Sequence, residues 1–200
     1  PGLGRGLRRV TSSILKHITS PKYAGLFEYG ASYSGAYLLR RGVFMPWELP
    51  GFLDPDMVRE GWAELHTIER LDQISADISN SHHKVSALEM SCYMRSQLLR
   101  DTDWASMAHS LEIRVPFLHL DLLRIVAPLL GRRGSPDKNT VAVTVAKDLP
   151  KEIINRRKTG FSVPVREWLL DGSFAANERG IRGWSRYVYQ HGSAPVPWLH

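Results

Sequence analysis

The chain has 200 residues and a formal charge of +6 with histidine neutral; 43% of it is apolar and 23% charged. That length allows one or at most two domains and enough chain to bury a core. The proportions are those of an ordinary globular protein, and no apolar run approaches the roughly 18 to 20 residues of a membrane span.

A single cysteine, Cys92, excludes an internal disulfide and a multi-cysteine metal site. It falls in an apolar helical pattern, where a buried, inert thiol is expected. A lone thiol points to a reducing compartment, so the cytoplasm is the expected location. The positive balance suits an anionic partner, whether nucleotide, nucleic acid, acidic substrate or membrane surface. It is not gathered into a basic tail, so a small polyphosphate site fits as well as a nucleic-acid footprint. The chain opens on Pro-Gly-Leu-Gly-Arg, without the pattern of a secretory leader. Its lack of an initial Met reads as processing or as a piece of a longer protein.

No internal repeat interrupts the chain, which reads as one mostly helical domain over 1–200, with 1–20 and 190–200 irregular. From Pro21, Tyr23, Leu26, Phe27, Tyr33, Tyr37 and Leu38 fall near helical spacing. Gly25, Gly30 and Gly35 weaken that helix and allow another backbone to come close. Met45 to Gly51 breaks the pattern. Asp54-Pro55-Asp56 is a helix start: a capping carboxylate, a proline suited to the first position, and an acid for the positive end of the dipole. The stripe Val58, Trp62, Leu65, Ile68, Leu71, Ile78 continues it, with a break expected in the seventies.

A further helix is expected from His82 to Leu99, with apolar residues on two faces and hence burial on most sides. It ends at Leu99-Arg100 and delivers Asp101, Thr102 and Asp103 into a turn, with Ser106 and Ser110 able to cap the next segment. Phe117 to Leu130 reads as a helix with Leu122, Ile125, Val126 and Leu129 inward. The alternating valines of 140–146 favour a strand by propensity. No partner strand is evident, so a helix is expected there. Val163 to Leu170 reads as a short helix. The six tryptophans read as core or interface.

Two pieces carry chemistry. In the first, Glu112 and Arg114 alternate with Ile113 and Val115 on an extended segment ended by Pro116, so the charged pair points one way and the apolar pair the other. Glu112 there is either an orienting group or base, or the partner of Arg114 in a structural ion pair. In the second, Arg156-Arg157-Lys158 leads into Gly160, where a cation beside a glycine turn approaches phosphate oxygens closely. The plain alternative is a solvated basic turn. His82 and His83 read as exposed residues at a helix start, and His109 as a hydrogen-bonding residue. No zinc spacing, nucleophile elbow or Walker loop is present.

Leu98-Leu99-Arg100-Asp101-Thr102-Asp103, Ser106-Met107-Ala108 and Leu111 to Leu118 resemble the asparagine synthase family. So, in the same order, do Leu149-Pro150, Arg157-Lys158-Thr159-Gly160-Phe161, Pro164 and Trp168-Leu169. The resemblance covers about residues 80 to 170 well and 30 to 80 more loosely. It implies ATP-dependent amide formation: a carboxylate, usually of aspartate, is adenylylated, and ammonia from a glutaminase domain displaces AMP. It implies the helical C-terminal portion of an α/β nucleotide-binding (PP-loop) domain. Lys158 is similar to the lysine that reaches the ATP phosphates, with Gly160 beside it, and Glu112 to a glutamate near the intermediate.

The family's Ser-Gly-Gly-x-Asp-Ser loop is absent, as are its Gly-rich acidic stretch and the glutaminase cysteine. Trp104 and His119 also depart from the pattern. The expectation is therefore a C-terminal part that is inactive alone, using ATP and Mg2+ only in the full-length enzyme and binding neither tightly by itself. Its expected partners are the upstream PP-loop and glutaminase domains, an aspartate-like carboxylate, and a second copy through self-association. A catalytically inactive helical scaffold of the same family is the alternative. A basic nucleic-acid binder ranks below both, and no membrane partner is expected.

Overall fold

Asp54 begins its helix as its chemistry dictates. Its Oδ1 accepts from the backbone N–H groups of Asp56 and Met57, at 3.0 and 2.9 Å, and Pro55 takes the first helical position. The same logic repeats along a computed structural model that describes residues 21–132, 134–146, 148–157 and 181–192. Ser32 caps Tyr33–Arg41, Asn80 caps Ser81–Leu88 and Asp137 caps Lys138–Val145, each side-chain oxygen accepting a backbone N–H of the first turn.

In chain order the helices are α1 (Leu26–Tyr29), α2 (Tyr33–Arg41), α3 (Pro55–Leu65), α4 (Thr67–Ser75), α5 (Ser81–Leu88), α6 (Arg100–Met107), α7 (Leu120–Val126), α8 (Lys138–Val145), α9 (Lys151–Ile154) and α10 (Ile181–His191). Between α5 and α6 the chain stays helical as a π-helix, Glu89–Leu99. Among the described residues there is no strand, so the fold is mainly α and the valines of α8 are helical, as the want of a partner strand predicts.

The core lies where α2, α4 and α5 meet. Tyr37, Leu71 and Leu88 are buried there, with Leu38, Ile74 and Cys92 packed against them. Ser34 Oγ, fully buried, donates to Asp72 Oδ1 at 2.5 Å and ties α2 to α4. Arg41 ties α2 to the π-helix: it pairs with Glu89, and its guanidinium lies 3.6 Å from the centre of the Tyr93 ring.

A second packed region is built around the loop after α2. Met45 is fully buried, and Trp47 stacks obliquely on Tyr29 at 5.8 Å. A Cβ at Gly25 would lie 2.1 Å from the Trp47 ring, and one at Gly35 would lie 2.1 Å from the carbonyl oxygen of Tyr29. Glycine at 35 is what lets the α1 backbone approach α2. The α10 helix docks here through Arg182. That guanidinium donates to Glu48 Oε1 at 2.7 Å and to the Val43 carbonyl at 2.7 Å, and lies 4.2 Å from the Phe44 ring centre.

Several expectations need correction. The helical stripe beginning at Asp54 breaks in the seventies as expected, α4 ending at Ser75 and α5 beginning at Ser81, but it also breaks earlier, at His66, which takes the left-handed conformation with φ 46°. The helix from Ser81 does not end at Leu99-Arg100; it runs through the π segment to Met107, so Asp101, Thr102 and Asp103 lie in the first turn of α6 rather than in a turn. Two of them bond within the helix or at its start. Thr102 Oγ1 donates to the Leu98 carbonyl, and the Asp103 carbonyl accepts from Ser106 Oγ. Burial on most sides of 82–99 is not found either, since Leu88 alone is fully buried there and Val85 and Leu98 are exposed.

The expected helix over 117–130 divides into a 3-10 turn, Pro116–Leu118, then α7, then a 3-10 turn, Ala127–Leu129. Of its supposed inward residues only Val126 is half-buried; Leu122 is 38% exposed, Ile125 69% and Leu129 48%. Periodicity identified a face but not what covers it. Trp104, 65% exposed, is not core; the Arg100 guanidinium lies 4.9 Å from its ring centre. Cys92 is half-buried rather than buried. Helix α10 extends to His191, two residues into the tail read as irregular. The segments 1–20 and 193–200 and the expected helix from Val163 to Leu170 lie outside the described residues.

Candidate functional site

The segment that holds Glu112 begins at a helix end. Ser110 N–H donates to the Met107 carbonyl and Leu111 N–H to the Ser106 carbonyl, with Ser110 in the left-handed conformation at φ 56°. This is the Schellman arrangement, in which a residue just past the helix turns the chain sharply aside. Ser110 and Ser106 thus act at the end of one helix, through their backbones, and not as caps of the next.

Beyond that turn residues 111–115 form no regular element, and Pro116 ends the segment in a 3-10 turn, with Leu118 N–H donating to the Val115 carbonyl. Arg114 Nε donates to Glu112 Oε1 at 2.9 Å, with the two side chains 84% and 71% exposed. The pair lies on one side as the alternation predicted. Ile113 and Val115 are nevertheless uncovered too, at 54% and 41% exposed. Arg114 therefore holds the Glu112 carboxylate on an apolar surface that nothing in the described residues covers. A second pair stands at the start of α7, where Asp121 accepts from Arg124 at 3.0 Å and His119 Nδ1 lies 3.9 Å from its other oxygen. His109 is exposed.

The second piece is only partly in view. Arg156 and Arg157 are exposed just after α9; Lys158 and Gly160 lie outside the described residues. Among the described residues no group of three or more His, Cys, Asp or Glu is arranged to hold a metal ion. The donors in view therefore do not make up a metal site.

Sequence reasoning missed three features. One is the Glu48–Arg182 pair, whose partners stand 134 positions apart and share no local signal. The second is Asn80 with His83, read as part of an exposed helix start: His83 Nε2 lies 2.8 Å from the Leu130 carbonyl oxygen. The third is an open groove of about 390 Å³ beside the start of α2, lined by Ser32, Tyr33, Asp72, Gln73, Ser75 and Lys84.

A helical chain with a Glu-Ile-Arg-Val-Pro-Phe segment just past a Schellman turn, and an Arg-Lys-Thr-Gly-Phe run after it, has the ordered motifs of one enzyme family. The asparagine synthase family model matches residues 29–182, which include both pieces, and the chain belongs to that family. Over 90 residues it is 32% identical to asparagine synthetase [glutamine-hydrolyzing] 1 of Bacillus subtilis (strain 168), a stretch that is 44% of this chain and 14% of that protein. It is 30% identical over 92 residues to a putative asparagine synthetase [glutamine-hydrolyzing] of Mycobacterium bovis and to one of Mycobacterium tuberculosis, again over 44% of this chain and 14% of theirs. The match thus spans about one seventh of the length of these relatives. No solved structure matches the chain significantly. No described helix is long and apolar enough to cross a membrane.

Proposed function

We propose that this chain is the helical C-terminal part of an ATP-dependent carbon–nitrogen ligase of the asparagine synthetase kind, in which a carboxylate is adenylylated and the adenylate converted to an amide. The observation that carries the proposal is Glu112, held by Arg114 on an exposed segment inside the matched family region. Glu112 faces the reacting centre and orients it or moves a proton. Lys158, beside Gly160, meets the phosphates and steadies the departing pyrophosphate, a preorganised charge aimed at developing negative charge.

ATP and its metal are held mainly by the parts of the relatives that this chain does not cover. Those parts, a pyrophosphate loop and a glutaminase domain, are its partners, and an aspartate-like carboxylate is the substrate. The uncovered apolar side chains from Trp104 to Ile153, with Phe117 and Val145 each 79% exposed, support a missing neighbour.

The test has two arms. The chain alone should give no ATP–pyrophosphate exchange above a heat-killed control, and it should self-associate or bind an apolar dye. In the intact protein, Lys158→Ala should lower kcat more than it raises KM, with the melting temperature nearly unchanged. Lys158→Arg should rescue only in part, since a planar guanidinium does not fit a compact ammonium site. Wild-type turnover in both Lys158→Ala and Glu112→Gln would leave instead the plain readings, in which Lys158 lies in a solvated basic turn and Glu112–Arg114 is a surface ion pair.

A further inference from the structure

From Met107 the chain doubles back, and by Leu130 it has returned to the start of the helix it left. The returning segment 108–131 carries Glu112, the Pro116–Leu118 turn and α7. Its apolar side chains are largely uncovered: Phe117 is 79% exposed, Ile125 69% and Leu120 55%. Burial therefore does little to hold it in place.

Past its first turn, and among the described residues, its side-chain hydrogen bonds to the rest of the fold come from Asn80 and His83 and, just beyond its end, from Ser135, whose Oγ donates to the Leu129 carbonyl at 2.8 Å. His83 Nε2 lies 2.8 Å from the Leu130 carbonyl oxygen. A carbonyl only accepts, so Nε2 carries the proton, and the bond survives in both the neutral and the charged ring. Asn80 Nδ2 donates to the Gly131 carbonyl at 3.4 Å while its Oδ1 accepts from His83 N–H and caps α5. Gly131 completes the contact. Its φ is +77°, and a Cβ there would lie 2.9 Å from Asn80 Oδ1, so both the backbone and the space require glycine.

We propose that Asn80, His83 and Gly131 form a clasp that fixes the return of segment 108–131 along the long helix, and that His83 is thereby a positioning residue for Glu112. The positioning role rests on the proposed function of Glu112; the clasp itself does not.

Hydrogen–deuterium exchange resolved by peptide tests it on wild type, His83→Ala, His83→Gln and Gly131→Ala. Amides of 119–131 should exchange about five- to tenfold faster in His83→Ala and Gly131→Ala, as expected for one lost hydrogen bond that gates local opening. His83→Gln should stay close to wild type, because its amide nitrogen donates to the same carbonyl. Amides of α2 and α4 should not change. In the intact protein His83→Ala should lower kcat with KM little altered, and His83→Gln should restore it.

Unchanged exchange over 119–131 overturns the clasp. A uniform rise that includes α2 and α4 overturns it too, since His83 would then only support the whole fold. Faster exchange over 119–131 with unaltered turnover keeps the clasp but overturns the positioning role, provided Glu112→Gln is impaired. If Glu112→Gln is fully active, it is the functional reading that fails, and the exchange data decide the clasp alone.

Discussion

Glu48→Ala should be among the most damaging single substitutions in this chain. The Glu48 carboxylate is 10% exposed and the Arg182 guanidinium 16%. Glu48 accepts from Arg182 at 2.7 and 3.4 Å and from the Met45 backbone N–H at 2.8 Å. Removing it leaves a buried guanidinium with the Val43 carbonyl and the face of Phe44. Lys22 adds to the cost. Its ammonium pKa is depressed, first by burial and then by Arg182 and Arg40, and Glu48 is the group that opposes this.

Breaking a buried pair by deleting one partner costs about 3–5 kcal/mol. Arg182→Ala should cost less, about 2–4 kcal/mol, because Glu48 keeps the Met45 N–H and the nearby Lys22 charge. The double alanine variant should fall short of the sum by at least about 1 kcal/mol, since neither charge is then left alone. Replacing both residues by methionine should be close to neutral. Urea unfolding monitored by tryptophan fluorescence and far-ultraviolet circular dichroism measures all four. A Glu48→Ala variant within about 0.5 kcal/mol of wild type would refute the reasoning, since that is the range of an uninvolved surface site.

Ser110→Gly should stabilise the chain by about 0.5–1 kcal/mol in the same assay, because Ser110 sits at φ 56° where glycine carries no Cβ penalty. A loss of stability would mean the Ser110 side chain contributes something its backbone does not reveal. The Cys92 thiol, whose pKa burial raises above its ordinary value, should react with iodoacetamide at pH 8 more slowly than a peptide thiol, and at the peptide rate in denaturant. Equal rates in the folded chain would contradict its packing against Tyr37 and Leu88. The Asp137 carboxylate is held below its usual range by the side-chain and backbone donors of Thr140. A depressed folded pKa adds stability above the unfolded value that is lost as pH falls through the folded one. The amides of α8 should therefore lose exchange protection on acidification below about pH 4, and Asp137→Asn should flatten that response.

What the sequence made legible was local. Asp54 and Pro55 announce their helix because cap, proline and first turn all lie within three residues. The helical state of 138–145 was readable from the lack of a partner strand. The break at His66 escaped notice because histidine carries no turn signal, yet its backbone is left-handed. Arg100-Asp101-Thr102-Asp103 looked like a turn because it is polar, but four polar residues also make one exposed turn of a helix. The Glu112–Arg114 pairing was readable from alternation at a spacing of two. The Asn80–His83 contact with 130–131 was not, because it depends on how far the chain travels before it returns.

The π-helix from Glu89 to Leu99 gives that return path a further meaning. Each of its turns closes on the fifth residue back instead of the fourth, so the segment is wider and shorter than an α-helix of the same length. It is also the sole covalent axle between the core at Leu88 and everything from Arg100 to Glu112. The compass bearing of Glu112 is therefore counted out in hydrogen bonds that lie more than a dozen residues upstream of it. One residue gained or lost in that stretch would re-aim the carboxylate relative to the core.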